Sequence, residues 1–205
     1  MKKFLALLLV SLLALSLAAC GGNKTPDTST DPANTSDNAS DSNEATPVAK
    51  DALEILTTVW NSYKEDDKFA IVGGDYSEEN MKDGEPGKFG LEDASVLDNT
   101  VAFPAASVDK IDDAAAIRHM MNANTFTCGA YHVKDANEVT NVVSEIKDNI
   151  KNRHWMCGFP EKVVIVTVGD YVVALFGAED LVNVFTANLT AAYNTAETVC
   201  NESVM

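Results

Sequence analysis

Basic residues are scarce in this chain. Its 205 residues include 15 Lys and Arg against 31 Asp and Glu, which gives a formal net charge of -16. A surface this acidic repels the phosphates of nucleic acids and the headgroups of anionic lipids. Nucleic acid is therefore excluded as a partner, and the acidity is interpreted mainly as a contribution to solubility.

The sequence also lacks the common motifs of catalysis and cofactor binding. It has no Gly-x-Ser-x-Gly, no Walker loop, no dinucleotide fingerprint and no Cys-x-x-Cys. The acidic stretch 109–113 lacks the spacing and the central glycine of an EF-hand. Gly73-Gly74 lacks the strand-to-helix context of a phosphate loop. The residues therefore predict no catalytic site and no cofactor.

A hydrophobic run long enough to span a bilayer is missing as well. The apolar run after Lys2 and Lys3 covers residues 4–19, whereas a transmembrane helix needs about 20 apolar residues. The order of charged, apolar and small residues is that of a secretory signal. Cys20 after Leu-Ala-Ala resembles the lipobox of bacterial lipoproteins. That resemblance implies that residues 1–19 are cleaved and that Cys20 carries a lipid, which anchors the chain to the outer face of the cell membrane.

Composition divides the remaining chain into two parts. Residues 20–47 contain the predicted lipidated cysteine, followed by small and polar residues with no aromatic side chain. Such a segment buries too little apolar area to offset its ordering entropy, so it is predicted to be a disordered tether. Residues 48–205 have the length and the apolar patterning of a single domain.

Apolar spacing predicts an α+β fold for that domain. Helices are predicted after Asp51, at 110–122, from Asp135 to Ile150, and from Glu179 to Val199. Strands are predicted at 125–133, 163–168 and 171–176, the last two joined by a Gly169-Asp170 hairpin turn. Residues 73–100 are interpreted as an irregular connector. We therefore expect a small, mostly three-stranded sheet, made of a strand–helix–strand unit plus a hairpin, with helices mainly on one face.

Residues 127–133, 149–155 and 168–173 form a specific series of segments within the stretch from Phe89 to Gly177. In this stretch the chain resembles small Gram-positive lipoproteins of a domain-of-unknown-function family (4358), often labelled bacteriocin transport accessory proteins. The resemblance implies an anchored, extracytoplasmic location and a role as an accessory to peptide export. It implies no established reaction and no catalytic residues.

Three cysteines and two histidines are the candidates for chemistry. Cys128 and His132 are four residues apart on one predicted strand and so face the same side, while His154 and Cys157 follow the long helix. Two Cys and two His suit tetrahedral Zn²⁺, although this spacing matches no finger signature. With Cys200 the thiols outside the cytoplasm number three, which allows one disulfide and a free thiol or three buried free thiols.

The sequence supports two functional hypotheses. The first is a non-enzymatic, lipid-anchored protein that binds an envelope protein, an exporter or its peptide cargo. The second is an extracytoplasmic thiol or zinc-binding protein that uses Cys128, His132, His154 and Cys157. Under either hypothesis, the predicted partners of the protein are the membrane, through the lipid on Cys20, and an envelope protein or exporter.

Overall fold

The computed structural model describes residues 49–205. The predictions for the signal segment, Cys20 and the tether lie outside the described residues. Within residues 49–205, no helix has the length and hydropathy needed to cross a membrane. The elements in chain order are α1 (Ala52–Asn61), β1 (Ile71–Gly73), β2 (Lys82–Asp83), β3 (Gly87–Lys88), α2 (Ala94–Val101), β4 (Ile111–His119), β5 (Phe126–Val133), α3 (Val139–Lys151), β6 (Lys162–Val168), β7 (Tyr171–Gly177), α4 (Glu179–Ala192) and β8 (Ala196–Ser203).

The described strands form one antiparallel sheet in the order β2-β1-β4-β5-β7-β6-β8, with β3 also pairing with β4. The predicted hairpin is confirmed. β6 and β7 pair antiparallel, with Val168 opposite Tyr171 beside the turn, and Gly169 in the turn has a φ of 60°. Both β5 and β6 pair antiparallel with β7, so they run parallel to each other with β7 between them. The predicted strand–helix–strand unit is therefore present in a split form. The α+β class is confirmed, but the expected size of the sheet is wrong, since eight strands take part.

Helices cover both faces of the sheet, which corrects the expectation of one covered face. On one face α1 and α4 pack in a cluster that we call the first core, with Phe126, Cys128 and Ala130 of β5. On the other face α2 and α3 pack in the second core, with Tyr131 and Val133 of the same strand. Because side chains alternate along a strand, one strand supplies both cores. The nearly continuous apolar runs of β6 and β7 follow from this burial on both faces.

The segment 110–122, predicted as a helix, forms β4. Ile111, Ala114 and Ile117 fall at helical spacing, and alanine has the highest helix propensity. In the structure Ala114 and Ala116 face the second core, whereas Ala115 and Ile117 face the first. A strand buried on both faces has no polar side to reveal its period of two, so tertiary pairing decides the outcome.

Two other boundaries differ from the prediction. The last helix, predicted to reach Val199, ends at Ala192, and β8 then pairs with β6 at the edge of the sheet. The segment 73–100, interpreted as an irregular connector, contains two short strands and α2. Asp93 caps α2 by accepting hydrogen bonds from the backbone N–H groups of Ser95 and Val96, a short-range signal that the sequence carries.

Candidate functional site

His132 forms a close polar pair near the end of β5. Its Nδ1 lies 2.5 Å from Oδ1 of Asp112, and its ring packs against Tyr171 with centroids 4.8 Å apart. Burial, followed by the negative charges of Asp113 and Asp51, raises the pKa of Tyr171 to about 12. The histidine is thus paired with a carboxylate and a neutral phenol.

Cys128 and Cys200 are core residues. Cys128 lies in the first core, and burial raises the pKa of its thiol well above the ordinary value. Cys200 lies in the second core, where burial, followed by the charge of Glu202, raises the pKa of its thiol. Cys128, Cys157 and Cys200 are all free thiols, which agrees with the alternative of free rather than bridged cysteines, although Cys157 is exposed.

The structure does not bring the four zinc candidates together. His154 and Cys157 are exposed in the loop after α3, which lies by the beginning of β5, whereas His132 lies six residues further along that strand. At about 3.3 Å per residue this separates the two ends by roughly 20 Å. Among residues 49–205, no group of three or more His, Cys, Asp or Glu side chains could hold a metal ion. The proposed arrangement therefore fails because the crossover brings His154 and Cys157 to the opposite end of the strand from His132.

A different group of residues is assembled at that end of the sheet. There β4 ends, β5 and β6 begin, and β7 ends, so that the loop 120–125 lies against the loop 152–161. We call these two loops the loop end. Ala178 N–H donates to the carbonyl of Thr125, and Glu161 N–H donates to that of Gly177. These backbone bonds continue the sheet pairing into the base of the loop end.

Two asparagine side chains join the loops to each other. Asn124 Nδ2 donates to the carbonyl oxygens of Met156 at 2.8 Å and Gly158 at 2.9 Å. Asn122 Nδ2 donates to the carbonyl of Cys157 at 3.3 Å. Three consecutive carbonyls of one loop are therefore bound by two amides of the other. An amide that donates to two carbonyls fixes the direction of both peptide groups, so the turn is held in one conformation.

Cys157 has a left-handed backbone conformation within this turn. Its φ is 62°, and Gly158 follows with a φ of 113°. A non-glycine residue in this region costs about 1–2 kcal/mol because its Cβ crowds the following carbonyl. Asn122 binds the carbonyl of Cys157 itself, and Asn124 binds the carbonyls on either side, so the two amides maintain the strained turn. The thiol of Cys157 is consequently displayed on the surface of the loop end.

Four large apolar side chains are exposed at the loop end. Met121 is 82% exposed, Met156 76%, Phe159 61% and Met120 47%. We call these four residues the apolar loop surface. They come from both loops, and the asparagine bonds keep the loops adjacent. Exposed large apolar residues that occur singly need no explanation, whereas four of them at one end of the sheet make that end a candidate interaction site.

A cleft of about 260 Å³ opens beside this surface. Its walls include Asn99, Asn124, Trp155, Met156 and Phe176. The Trp155 ring packs against Phe176 with centroids 5.0 Å apart. Its indole Nε1 is buried and has no hydrogen-bond partner among the described residues. A buried donor without an acceptor is costly, so this N–H is a cost to the stability of the cleft wall.

Arg153 fixes the wall of the cleft that α2 provides. Its Nη1 donates to Oδ1 of Asp98 at 2.7 Å, and its Nη2 donates to the carbonyl of the same residue at 2.8 Å. Asn149 Nδ2 donates to that carboxylate and to the carbonyl of Ala102, both at 2.9 Å. The guanidinium also lies 5.8 Å from the centre of the Trp155 ring. Hydrogen bonds between α2 and the C-terminal end of α3 therefore hold this side of the cleft in place.

This arrangement offers exposed thioether and phenyl groups and a cleft beside them, which suit binding. The sequence analysis placed Met120 and Met121 in the predicted helix 110–122. The available signal was the occurrence of large apolar residues within two Asn- and Gly-containing loops.

Comparison of the chain with protein-family models, with curated proteins and with solved structures found no match. The resemblance described from the sequence therefore stays a prediction.

Proposed function

We propose that this chain is a lipid-anchored, extracytoplasmic protein with a non-enzymatic role at the cell envelope, and that its folded domain binds a polypeptide partner through the apolar loop surface. The observation that carries the proposal is the grouping of Met120, Met121, Met156 and Phe159 on two loops that hydrogen bonds hold together. The anchor on Cys20 would place this surface outside the cytoplasm.

The side-chain types favour a peptide as the partner. Methionine is flexible and polarisable, so a methionine-rich surface adapts to apolar side chains of different shapes. Phe159 and the neighbouring Trp155 provide the large aromatic area that dominates binding energy at interfaces.

Charge complementarity favours a basic partner. The chain carries a formal net charge of -16, which steers cationic molecules towards it and repels acidic ones. A basic, amphipathic peptide would place its apolar face on the loop surface and a cationic side chain near Glu161, which lines a cleft with Phe159. The same charge opposes docking on anionic lipid headgroups.

The resemblance to bacteriocin transport accessory proteins suggests where such a peptide would come from. An anchored domain beside an exporter would meet a peptide as it leaves the membrane. In this proposal the protein acts as an accessory to export, with the peptide or the exporter as its partner.

A binding measurement with a defined peptide tests the proposal. The full-length chain is titrated with a fluorescent basic amphipathic peptide, and with a counterpart in which every Lys is replaced by Glu. We expect saturable binding of the basic peptide only. In the triple variant Met121→Ser, Met156→Ser, Phe159→Ser, the Kd rises about tenfold or more, which corresponds to the loss of at least ~1.4 kcal/mol.

The matched control removes apolar side chains exposed elsewhere. Met81 is 49% exposed and Val184 is 41% exposed, and neither belongs to the loop end. The double variant Met81→Ser, Val184→Ser should bind the basic peptide with an unchanged Kd. Equal affinity of the triple variant and the unmodified chain, or binding of neither peptide, rejects the proposal. Binding to anionic vesicles without peptide binding would identify a lipid surface instead and would also reject it.

A further inference from the structure

A cavity of about 260 Å³ lies between the loop that follows β1 and the start of α2, and it shares no residue with the loop end. Tyr76, Phe89 and Val96 provide its apolar walls. Phe89 is 4% exposed, whereas Tyr76 is 69% exposed and forms the outer wall. The volume is below that of the pockets that bind drug-sized molecules. The cavity therefore suits an apolar group no larger than a single ring.

Carboxylates line the same cavity, and basic side chains do not. Asp75, Glu92 and Asp93 belong to its lining, and among residues 49–205 none of the three takes part in an ion pair. Arg118 is the cation that opposes them, since its Cζ atom lies 4.8 Å from the centre of the Tyr76 ring. With three carboxylates against one guanidinium, the local field repels anions and attracts cations.

Two of these carboxylates already have structural hydrogen bonds. Asp75 accepts from Ser77 N–H and Oγ, from Asn80 Nδ2 and from Gly90 N–H, and four donors occupy the lone pairs of a carboxylate. Asp93 caps α2, where its charge faces the positive end of the helix dipole. Asp75, which is 8% exposed, therefore acts on a ligand through its charge and not through a further hydrogen bond.

Glu92 is the carboxylate that can accept from a ligand. Within the described part of the chain, none of the hydrogen bonds around Gly90 and the start of α2 uses its side chain. Its Oε2 would lie 2.5 Å from a Cβ added to Gly90, and Oδ2 of Asp75 would lie 3.2 Å from the same point. The two oxygens are therefore within about 6 Å of each other, so one ammonium group placed between them is near both.

Gly90 keeps this point open. The backbone at Gly90 does not require a glycine, because its φ is not among the positive values of the described residues. What the glycine provides is space, since a Cβ would collide with the Glu92 carboxylate. The space is bounded by the charges of Glu92 and Asp75 and adjoins the apolar walls, which is the combination that a small amine with an apolar group needs.

We propose that this cavity binds a primary amine that carries an apolar group. The ammonium lies above Gly90, donates to Oε2 of Glu92 and is attracted by the charge of Asp75. The apolar group lies between the side chains of Tyr76 and Phe89. This site is separate from the apolar loop surface and does not depend on the proposed peptide binding.

Three small molecules separate the contributions of charge and apolar group. The probe is 2-phenylethylammonium. The same apolar group without a charge is provided by 2-phenylethanol, and methylammonium provides the charge without the ring. Each is titrated against the full-length chain at constant ionic strength, with the Kd measured by ligand-observed saturation transfer. We expect saturable binding of 2-phenylethylammonium and a Kd about tenfold or more higher for the other two molecules.

Two variants and a matched control locate the site. Glu92→Gln keeps the shape of an exposed side chain and removes its charge, so the Kd of 2-phenylethylammonium should rise about threefold or more. Gly90→Ala puts a methyl group where the ammonium would lie and should raise the Kd at least as much. Glu78→Gln removes an exposed carboxylate that does not line the cavity, and it should leave the Kd unchanged.

Three results would overturn the proposal. The first is the absence of saturable binding of 2-phenylethylammonium. The second is an equal Kd for 2-phenylethylammonium and 2-phenylethanol, which would indicate that the ring binds without a contribution from the charge. The third is a Kd that rises no more in the Glu92→Gln chain than in the Glu78→Gln chain, which would indicate a general effect of the acidic surface.

Discussion

Asn124 makes two of the three side-chain hydrogen bonds that join the loops of the loop end. The replacement Asn124→Ala should lower the free energy of unfolding by about 1 kcal/mol, since both bonds are at the surface and the net value of each is small. Urea denaturation measures the change. Asn122→Ala removes one longer bond and should cost less. An equal or larger cost for Asn122→Ala would contradict the role given to Asn124.

Asp75 makes the stability of the domain depend on acid pH. Burial acts to raise the pKa of its carboxyl, but the hydrogen bonds from Ser77, Asn80 and Gly90 outweigh burial and lower the pKa from 3.8 to about 2. The folded pKa is therefore below the unfolded one. The stabilisation by the ionised carboxyl is complete above the unfolded value and is lost as the pH falls through the folded value.

The variant Asp75→Asn isolates this effect from the other carboxylates. The unmodified chain should exceed it in free energy of unfolding by on the order of 1 kcal/mol at neutral pH, after allowance for solvent screening. The difference should disappear between about pH 4 and pH 2. Chemical denaturation at several pH values provides the measurement, and a difference that stays constant over this range would show that the ionised form is not the source.

At the scale of elements, short-range patterns predicted α1, β5, α3 and the β6–β7 hairpin. Asp51, the predicted start of α1, caps that helix by accepting from Glu54 N–H at 2.8 Å, and the Gly169-Asp170 pair forms the turn. These features depend on neighbours in sequence, so the sequence alone contains the information. Asp135, the predicted start of the next helix, caps a short 3-10 turn that leads directly into α3 by accepting from Asn137 N–H at 2.9 Å.

The elements that were missed depend on distant partners. β4 is buried between two cores, and β8 exists because β6 has a free edge to pair with. Neither condition can be deduced from a local window of sequence. The position of β7 between β5 and β6 is likewise a long-range property, and for this reason the strand–helix–strand unit was predicted as adjacent strands.

Gly129 on β5 shows how one element constrains another. A Cβ at this position would lie 2.5 Å from the Cζ atom of Tyr131 and collide with its hydroxyl, since the Tyr131 ring lies over the glycine. The ring also packs on Phe103 with centroids 4.6 Å apart. Gly129→Ala should therefore displace the ring and lower the free energy of unfolding by about 1–3 kcal/mol.

A second substitution identifies the cause of that loss. Tyr131→Leu removes the ring that the new Cβ would meet, so the added cost of Gly129→Ala should be smaller in the Tyr131→Leu background than alone. Thermal or urea unfolding of the four chains gives this coupling. Strict additivity would show that the ring is not what excludes a side chain at position 129.

At the scale of the whole molecule, the candidate site was less predictable than the fold. The four zinc candidates were chosen by residue type and spacing, but the crossover sends His132 and Cys157 to opposite ends of β5. The apolar loop surface depends on contact between two loops 30 residues or more apart, such as that between Asn124 and Met156.

The anchor is the whole-molecule feature that the sequence predicts most directly. Cys20→Ala should leave the chain without lipid and shift it from the membrane fraction to the soluble fraction, since acylation supplies the attachment. Metabolic labelling with a clickable fatty acid, followed by fractionation, measures both effects. Label on the Cys20→Ala chain, or equal membrane retention of both chains, would contradict the prediction.

Cys157 allows the most direct test of the proposed peptide-binding surface. It is the exposed thiol of the described residues, and Cys128 and Cys200 are buried, so in a Cys20→Ala background a benzophenone maleimide can be attached within the loop end of the chain. On irradiation with the basic amphipathic peptide we predict a covalent product that excess unlabelled peptide suppresses. The same photoprobe on Val184→Cys in a Cys20→Ala, Cys157→Ser background should give no such product. No product from position 157, or equal yields from both positions, would contradict the account.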